Sequence, residues 1–357
     1  MDVGVGLDGT LGLSFFEEAF LSVEAVKMGY SSIWTPEGPG LDSFLVCSQR
    51  WAASASVVSG GVTTGISVSP VGLRTPFSLA MSAGTISKLT DGRFILGIGS
   101  GGIHRHSWRN SWGFHSISAL QTMRDYLTTI RGLLAGEKMN YRGTTFALDG
   151  ARLGIKPPQC TPVYLAALGP KMLRIGGELA DGVALNWCTS EQVSWSRDRI
   201  SEGAESSGRD PSEIKIAEYI RVCVDDNVDD ARIALAKATI EYALGKDEGN
   251  EKERFMGYRG HFDRMGFKDV LSELDNMRNQ GASLDDMADA FPTDLLSRVG
   301  YFGPASGAAS AFSRLSRGLD VPIVRVVASR PGLDAVMETM RSCRPPTCSR
   351  KPMRVHL

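Results

Sequence analysis

The sequence carries no CxxC pair, no HExxH motif, no apolar run of membrane-spanning length and no surplus of either charge. Its six cysteines are dispersed: Cys47, Cys160, Cys188 and Cys223 stand alone, and Cys343 and Cys348 lie near the C-terminus. That pattern argues against a structural zinc site and against a disulfide framework. Of five histidines, His104 and His106 are two apart, a spacing that shares one face of a strand but not of a helix, so no metal is expected. Lys and Arg number 39 against 40 Asp and Glu, a net charge of −1, which excludes broad electrostatic capture of nucleic acid or anionic membrane. The apolar runs are strand-sized, far short of the roughly 20 residues that cross a bilayer. The opening MDVGVGLDGT has neither a basic leader nor a long apolar stretch, so no secretory signal and a cytoplasmic setting are expected. At 42% hydrophobic residues and a mean hydropathy of −0.09, the chain has enough apolar surface for a large core.

At about 150 residues per domain, 357 residues suggest two or three domains, unless the fold is an α/β barrel, which absorbs such a length as one. The order of elements favours the barrel. Short buried strands are predicted at 3–7, 31–35, 62–68, 94–98, 162–167, 182–186, 214–224 and 321–327. Helical spacing is read between them: 15–28, ended by Gly29; 43–58; the stretch from Pro76 to Leu89; 119–135, ended by Gly136; 171–180; and 332–342. Strands alternating with helices imply parallel pairing through right-handed crossovers, and eight strands is the count of a TIM (β/α)8 barrel. The expectation is one α/β domain over 1–342, with insertions near 103–118, 138–158 (a hairpin or loop) and 245–300 (a charged helical segment). The Pro-bearing basic stretch 343–357 is expected to be a disordered tail.

Gly97-Ile-Gly-Ser-Gly-Gly102 satisfies GxGxxG directly after a strand. A dinucleotide fingerprint would continue into an apolar crossover helix and would come first in the strand order. Here Ile103-His-Arg-His-Ser-Trp follows the fourth strand, so a barrel-top loop is the better reading. Leu165-Ala-Ala-Leu-Gly-Pro-Lys-Met172 says more: a strand ends in small residues, a glycine turns the chain, and Pro170 falls at the first position of a helix. Free N–H groups at such a terminus suit an anion, phosphate above all, although a plain strand-to-helix turn has the same pattern. Asn186-Trp-Cys-Thr-Ser-Glu-Gln192 ends the next strand and offers hydroxyl and amide groups to the same place.

These pieces taken in order resemble the luciferase-like monooxygenase superfamily, in particular its coenzyme F420-dependent branch, the methylenetetrahydromethanopterin reductase-like enzymes. The matching segments are Gly29–Glu37, Thr64–Val68 through Arg74-Thr-Pro76, Leu89–Gly99, Leu133–Glu137, Pro162–Leu173, Gly177–Gly182 and the closing Val321–Arg330. The resemblance implies a luciferase-like barrel that binds a deazaflavin at the C-terminal ends of its strands. It places the coenzyme phosphate on Ala166, Ala167, Leu168, Gly169 and Pro170 and on the turn from Thr189 to Gln192. It further implies that Ser67 and Val68 support the ring, often through a non-proline cis peptide.

Some relatives carry an acidic residue after the fourth-strand glycines, where this chain has Gly102. Glu37 is therefore the remaining candidate for proton transfer, its plainer alternative being an ion-pair partner or a solvated loop carboxylate. His104, His106, Trp108 and Trp112 suit a substrate-facing loop, through stacking and hydrogen bonding, but they equally suit packing among themselves. The function expected is hydride transfer between C5 of coenzyme F420 and a small organic substrate. The rival expectations are an FMN-dependent monooxygenase on the same fold and a non-catalytic deazaflavin-binding protein. A homodimer through helices 43–58 and 77–89 is expected, with no nucleic-acid or membrane partner.

Overall fold

The computed structural model of the chain describes residues 2–38, 40–103, 106–111, 113, 118–157, 161–245 and 255–346, with backbone alone at 106–108. Eight parallel strands form a closed ring: β1 (Gly4–Gly6), β2 (Ser32–Thr35), β3 (Thr63–Pro70), β4 (Phe94–Gly99), β7 (Val163–Ala166), β8 (Gly182–Asn186), β9 (Lys215–Val224) and β11 (Val321–Val326), the last pairing back to β1. All eight coincide with predicted strands. The stretch 138–158 contains the antiparallel hairpin of β5 (Met139–Arg142) and β6 (Ala147–Ala151). One strand was not foreseen. The four-residue β10 (Gly300–Gly303) pairs with β9 from Arg221 to Val224, taking over the edge that β8 leaves at Tyr219.

Helices α1 (Phe15–Lys27), α2 (Ser43–Ser54), α3 (Pro76–Leu89), α4 (His106–Ser111), α5 (Ala119–Leu134), α6 (Pro170–Leu179), α7 (Ser190–Ser206) and α8 (Val228–Ala243) follow in chain order. After them come α9 (Tyr258–Arg264), α10 (Lys268–Asn279), α11 (Leu284–Ala290), α12 (Thr293–Leu296), α13 (Ala305–Leu315) and α14 (Leu333–Ser342). Their starts have side-chain causes. Ser14 and Glu17 form a reciprocal capping box on α1, Asp42 caps α2, and Thr75 caps α3 with Pro76 in its first turn. The helix predicted over 43–58 stops at Ser54, where Ala55 caps it and the chain turns toward Gly60 and Gly61.

Large aromatic groups fill the lower barrel because glycines face them. Trp34 is fully buried, and a Cβ on Gly4 or Gly65 would stand 2.8 or 2.4 Å from its ring. Tyr164 lies against Gly182 in the same way, at 2.5 Å, and its ring centroid is 6.2 Å from that of Trp34. With Ala217, Tyr219 and Ile323 these two form the barrel's interior cluster. A larger apolar layer joins the barrel to its helices, and a separate core built on Phe262, Phe267, Leu271, Leu274 and Phe291 serves the helices of the 245–300 segment. Trp187, at the end of β8, belongs to that second core.

Helices α6 and α7 touch backbone to backbone. A Cβ on Gly177 would lie 2.0 Å from the carbonyl oxygen of Ile200, and one on Gly203 would lie 2.1 Å from that of Arg174. Each helix follows a barrel strand, so both point their N-termini to the same face. Gly203→Ala is expected to lower the unfolding free energy by about 2 kcal/mol, as overpacking against backbone does. Gly154→Ala, which meets nothing within 4 Å, should change it by less than about 0.5 kcal/mol. Urea denaturation of the two variants tests the contrast; equal stability would show that the helices separate freely.

Candidate active site

The C-terminal ends of the strands open onto one mouth, and its floor is made of small residues. Pairing between β3 and β4 is interrupted between Ile66 and Ser69, so Ser67 and Val68 leave the ladder as a bulge, and the peptide between them is cis. The fourth-strand glycines accommodate this bulge. A Cβ on Gly97 would strike the Ile66 carbonyl oxygen at 2.1 Å, and one on Gly99 would meet Val68 Cγ2 at 2.7 Å and Ala166 Cβ at 3.1 Å. The first two glycines of the GxGxxG pattern are thus a steric demand of the neighbouring strand, independent of any dinucleotide. Ser67, Val68, Gly99 and Ala166 thus lie together where β3, β4 and β7 end.

Glu37 follows β2 and is buried against the bulge. Its backbone N–H donates to the Val68 carbonyl at 3.3 Å, Ser69 donates its hydroxyl to one carboxylate oxygen, and Arg74 forms an ion pair with the other. The Ser43 N–H adds a long contact of 3.5 Å. Arg74 continues to Asp42 at 2.7 Å and lies over the Phe44 ring. Burial works against the Arg74 charge, but the Glu37 and Asp42 carboxylates outweigh it and hold the guanidinium above its ordinary pKa. The ion-pair alternative for Glu37 is thus the contact observed, and the pair fastens the bulge to the β2 loop.

The turns after β7 and β8 lie side by side because α6 and α7 do. Gly169 is the N-cap of α6, with φ −94° and ψ 155°, and no side chain caps the helix. This is ordinary extended backbone, so the turn does not require glycine; the absent Cβ instead leaves open space in front of the first-turn N–H groups. Pro170 is in the first turn, as expected. Ala167 is buried and Leu168 is half-buried. On α7, the Thr189 hydroxyl is occupied in capping, accepting from the Gln192 N–H at 3.2 Å. The buried Gln192 Nε2 has no hydrogen-bond partner. Glu191, exposed in the same first turn, has its carboxyl held below the usual range by its own backbone N–H and the Thr189 hydroxyl.

Glu218, Arg221 and His261, which surround the start of the 186–192 turn, were not singled out from the sequence. Asn186 is bonded to Arg221, whose guanidinium lies 3.8 Å from the centroid of the Trp187 ring. Trp187 has φ +56°, a left-handed conformation rarely adopted by a bulky side chain. Its carbonyl lies 2.9 Å from His261 Nε2, and the next N–H, of Cys188, donates to Glu218 Oε1 at 2.6 Å. Burial pushes the Cys188 thiol well up, away from nucleophilic use. Burial also raises the Glu218 carboxyl to about 8 and lowers the His261 imidazole to about 4. Asp8 and Arg325, at the ends of β1 and β11, form an ion pair on the next strands round the ring, Arg325 lying in register with Arg221. Only their placement in the closed barrel could have revealed this group, because 186, 218, 221 and 261 share no local motif.

His104 and Trp112 lie outside the described residues. His106 and Trp108 fall on α4 or its backbone, with their side chains outside the description. Among the described residues no group of three His, Cys, Asp or Glu side chains could hold a metal ion, and no helix is long and apolar enough to cross a membrane. The four described cysteines, Cys47, Cys188, Cys223 and Cys343, are free and buried.

Comparison with known proteins gives consistent matches. The luciferase-like monooxygenase family matches residues 10–311. A 5,10-methylenetetrahydromethanopterin reductase from Methanolobus tindarius is 34% identical over 155 residues, 43% of this chain and 46% of that protein. One of the same name from Archaeoglobus fulgidus is 33% identical over 174 residues, 49% of each. The chain thus spans about half the length of the curated relatives it matches. The solved structure of a coenzyme F420 dependent tetrahydromethanopterin reductase from Methanopyrus kandleri has the same fold, with a TM-score of 0.74 at 18% identity over 96% of this chain and 97% of that one.

The buried Glu218 makes stability depend on pH. Unfolding returns its carboxyl from about 8 to the ordinary 4.5, so over that window the unfolded chain binds fewer protons and stability falls as pH rises. His261 works in the opposite sense, but only below its ordinary value of 6.5. Glu218→Gln keeps an acceptor for the Cys188 N–H and removes the titration. Its stability relative to the unsubstituted chain should rise by about 2 kcal/mol between pH 6.5 and 8. Denaturant midpoints that stay parallel across that range would place the ionised carboxylate in the native fold.

Proposed function

The chain belongs to the luciferase-like monooxygenase family, and on that premise we propose that it is a coenzyme F420-dependent oxidoreductase moving a hydride between C5 of the deazaflavin and a small organic substrate. The observation that carries the proposal is the pair of adjacent helix N-termini, α6 uncapped and α7 beside the unpartnered Gln192 Nε2, with the β3 bulge two strands round the ring from the turn before α6. This spacing suits a planar ring joined to a phosphate. The coenzyme F420 dependent tetrahydromethanopterin reductase that shares this fold supports a deazaflavin over FMN.

In this reading the first-turn N–H groups of α6 and α7 receive the phosphate through aligned peptide dipoles. Ser67 and Val68 back the ring, with Gly99 and Ala166 giving it space. The bound coenzyme supplies the carbon that donates or accepts the hydride, and the protein supplies orientation and exclusion of water. Glu37 is proposed as a positioning residue: both carboxylate oxygens are committed, and through Ser69 and the Val68 carbonyl it fixes the bulge. The loop of His104, His106 and Trp108 is retained as the proposed substrate-facing element.

A homodimer is part of the proposal. Phe15, Phe16 and Phe20 on α1 and Leu45 on α2 are exposed, Phe16 to 90%, and a shallow apolar groove lined by Phe15, Leu41, Leu45 and Val46 runs between the two helices. Such a contiguous patch fits a second copy. It shifts the expected interface from the 43–58 and 77–89 pair toward α1 and α2.

Titration of the purified chain with F420, followed by quenching of the coenzyme's fluorescence, tests the coenzyme assignment. Gly169→Val should weaken binding about tenfold or more with an unchanged melting temperature, since the added side chain meets only the ligand's space. Glu37→Gln should also weaken binding, through the loosened bulge. Unchanged affinity with lowered turnover would return Glu37 to proton transfer, and tighter binding of FMN than of F420 would favour the monooxygenase. For the dimer, light scattering should give twice 38.5 kDa, reduced to one chain's mass by Phe16→Glu with Leu45→Glu. A wild-type mass near 38.5 kDa would contradict it.

A further inference from the structure

Helix α9 has seven residues, and three of its side chains reach the turns after β7 and β8. Tyr258 Oη accepts from Asn186 Nδ2 at 2.6 Å, His261 Nε2 lies 2.9 Å from the Trp187 carbonyl, and Arg264 Nη2 donates to the Leu168 carbonyl at 3.1 Å. Positions 258, 261 and 264 fall along one side of the helix. Nothing in Asn186-Trp-Cys-Thr favours a left-handed backbone at the tryptophan, so the φ of +56° is imposed from outside the segment. The contacts that impose it are on both sides of the residue. The Trp187 ring is held between the Arg221 guanidinium and the Tyr242 and Phe262 rings, with centroids at 5.5 and 6.1 Å, while His261 and Glu218 take its carbonyl and the following N–H.

His261 is fully buried and its Nδ1 has no partner, so the hydrogen bond to a carbonyl fixes the neutral tautomer with its proton on Nε2. A donor at this point is irreplaceable by shape alone. Arg264 is exposed and binds the other turn, so one short helix ties together the two loops from which the first-turn N–H groups of α6 and α7 project.

We propose that α9 is the positioning element of the anion cradle, with His261 setting the turn after β8 and Arg264 setting the turn after β7 in their ligand-binding shapes. The proposal rests on the reading that these turns hold the coenzyme phosphate. Their ordering is then complete before the ligand arrives, which removes that cost from binding. None of the three side chains need touch the reacting atoms.

The test compares two ligands, F420 and the corresponding deazariboflavin that lacks the phosphate. His261→Phe keeps the ring's volume and removes the donor. It should weaken F420 binding about tenfold while leaving the phosphate-free ligand within about twofold, because only the cradle is disturbed. His261→Gln, whose amide can donate to the Trp187 carbonyl, should recover most of the loss. Arg264→Ala, at an exposed position that leaves the core intact, should show the same selectivity and keeps the test decisive if His261→Phe fails to fold. Equal weakening of both ligands would mean a general structural role, and unchanged F420 affinity in both variants would mean none; either overturns the proposal. Failure of the coenzyme reading looks different: the unsubstituted protein itself would bind F420 no more tightly than the phosphate-free ligand.

Discussion

Backbone hydrogen bonds between β8 and β9 close the sheet, and the position of every group at the mouth follows from that closure. A parallel ring delivers all its strand ends to one face, so residues as distant in sequence as Asp8, Glu37, Ser67, Gly99, Ala166, Asn186, Arg221 and Arg325 become neighbours of one opening. Strand β9 is long enough to serve three partners, β11 along one edge and first β8, then β10, along the other. The second of these substitutions matters for the site. Where β8 ends, its chain is released from the sheet and turns left-handed at Trp187, and β10 prevents the upper edge of β9 from being left unpaired.

The mouth combines two kinds of material. On the side of β3, β4 and β7, the opening is bounded by small residues and a bulge. On the side of β8 and β9, buried polar groups restrict it: Glu218, Arg221, Asn186, Tyr258 and His261 are joined by hydrogen bonds or ring contacts around one tryptophan. Burial shifts Glu218 up and His261 down, so both favour their neutral forms. Carboxyl and imidazole then act as directional hydrogen-bond groups without adding charge beside the turn after β8. The helices of the 245–300 segment supply Tyr258 and His261 to this network, which connects their separate core to the barrel's open face.

The eight barrel strands were legible because each is a short apolar run bounded by Gly, Pro or Asp, with helical spacing between. Strand β10 was not: Gly-Tyr-Phe-Gly has no alternation long enough to register, and it exists only because β9 offers a free edge. The two phosphate-type turns were legible as turns, and Pro170 for the right reason, whereas Gly169 is there for space and not for an unusual dihedral. The GxGxxG run was legible as something other than a nucleotide loop, but its cause, the carbonyl of Ile66 against Gly97, needs the neighbouring strand in place. Glu37 stood out by position, and its partners Ser69 and Arg74 lie 32 and 37 residues away. The role of α9 was illegible altogether. Its residues look like the rest of a charged helical insert, and only tertiary packing carries Tyr258, His261 and Arg264 to loops that are 70 to 100 residues earlier in the chain.

The central claim, that the turns after β7 and β8 and the β3 bulge form one ligand site, is tested most directly by backbone hydrogen exchange with and without F420. Saturating coenzyme should slow exchange at the amides of Lys171 and Met172, at Ser190 and Glu191, and around Ser67 to Ser69, all in the same titration. Protection confined to the glycines at 97–102, or exchange at the two helix starts that is indifferent to the coenzyme, would contradict the account.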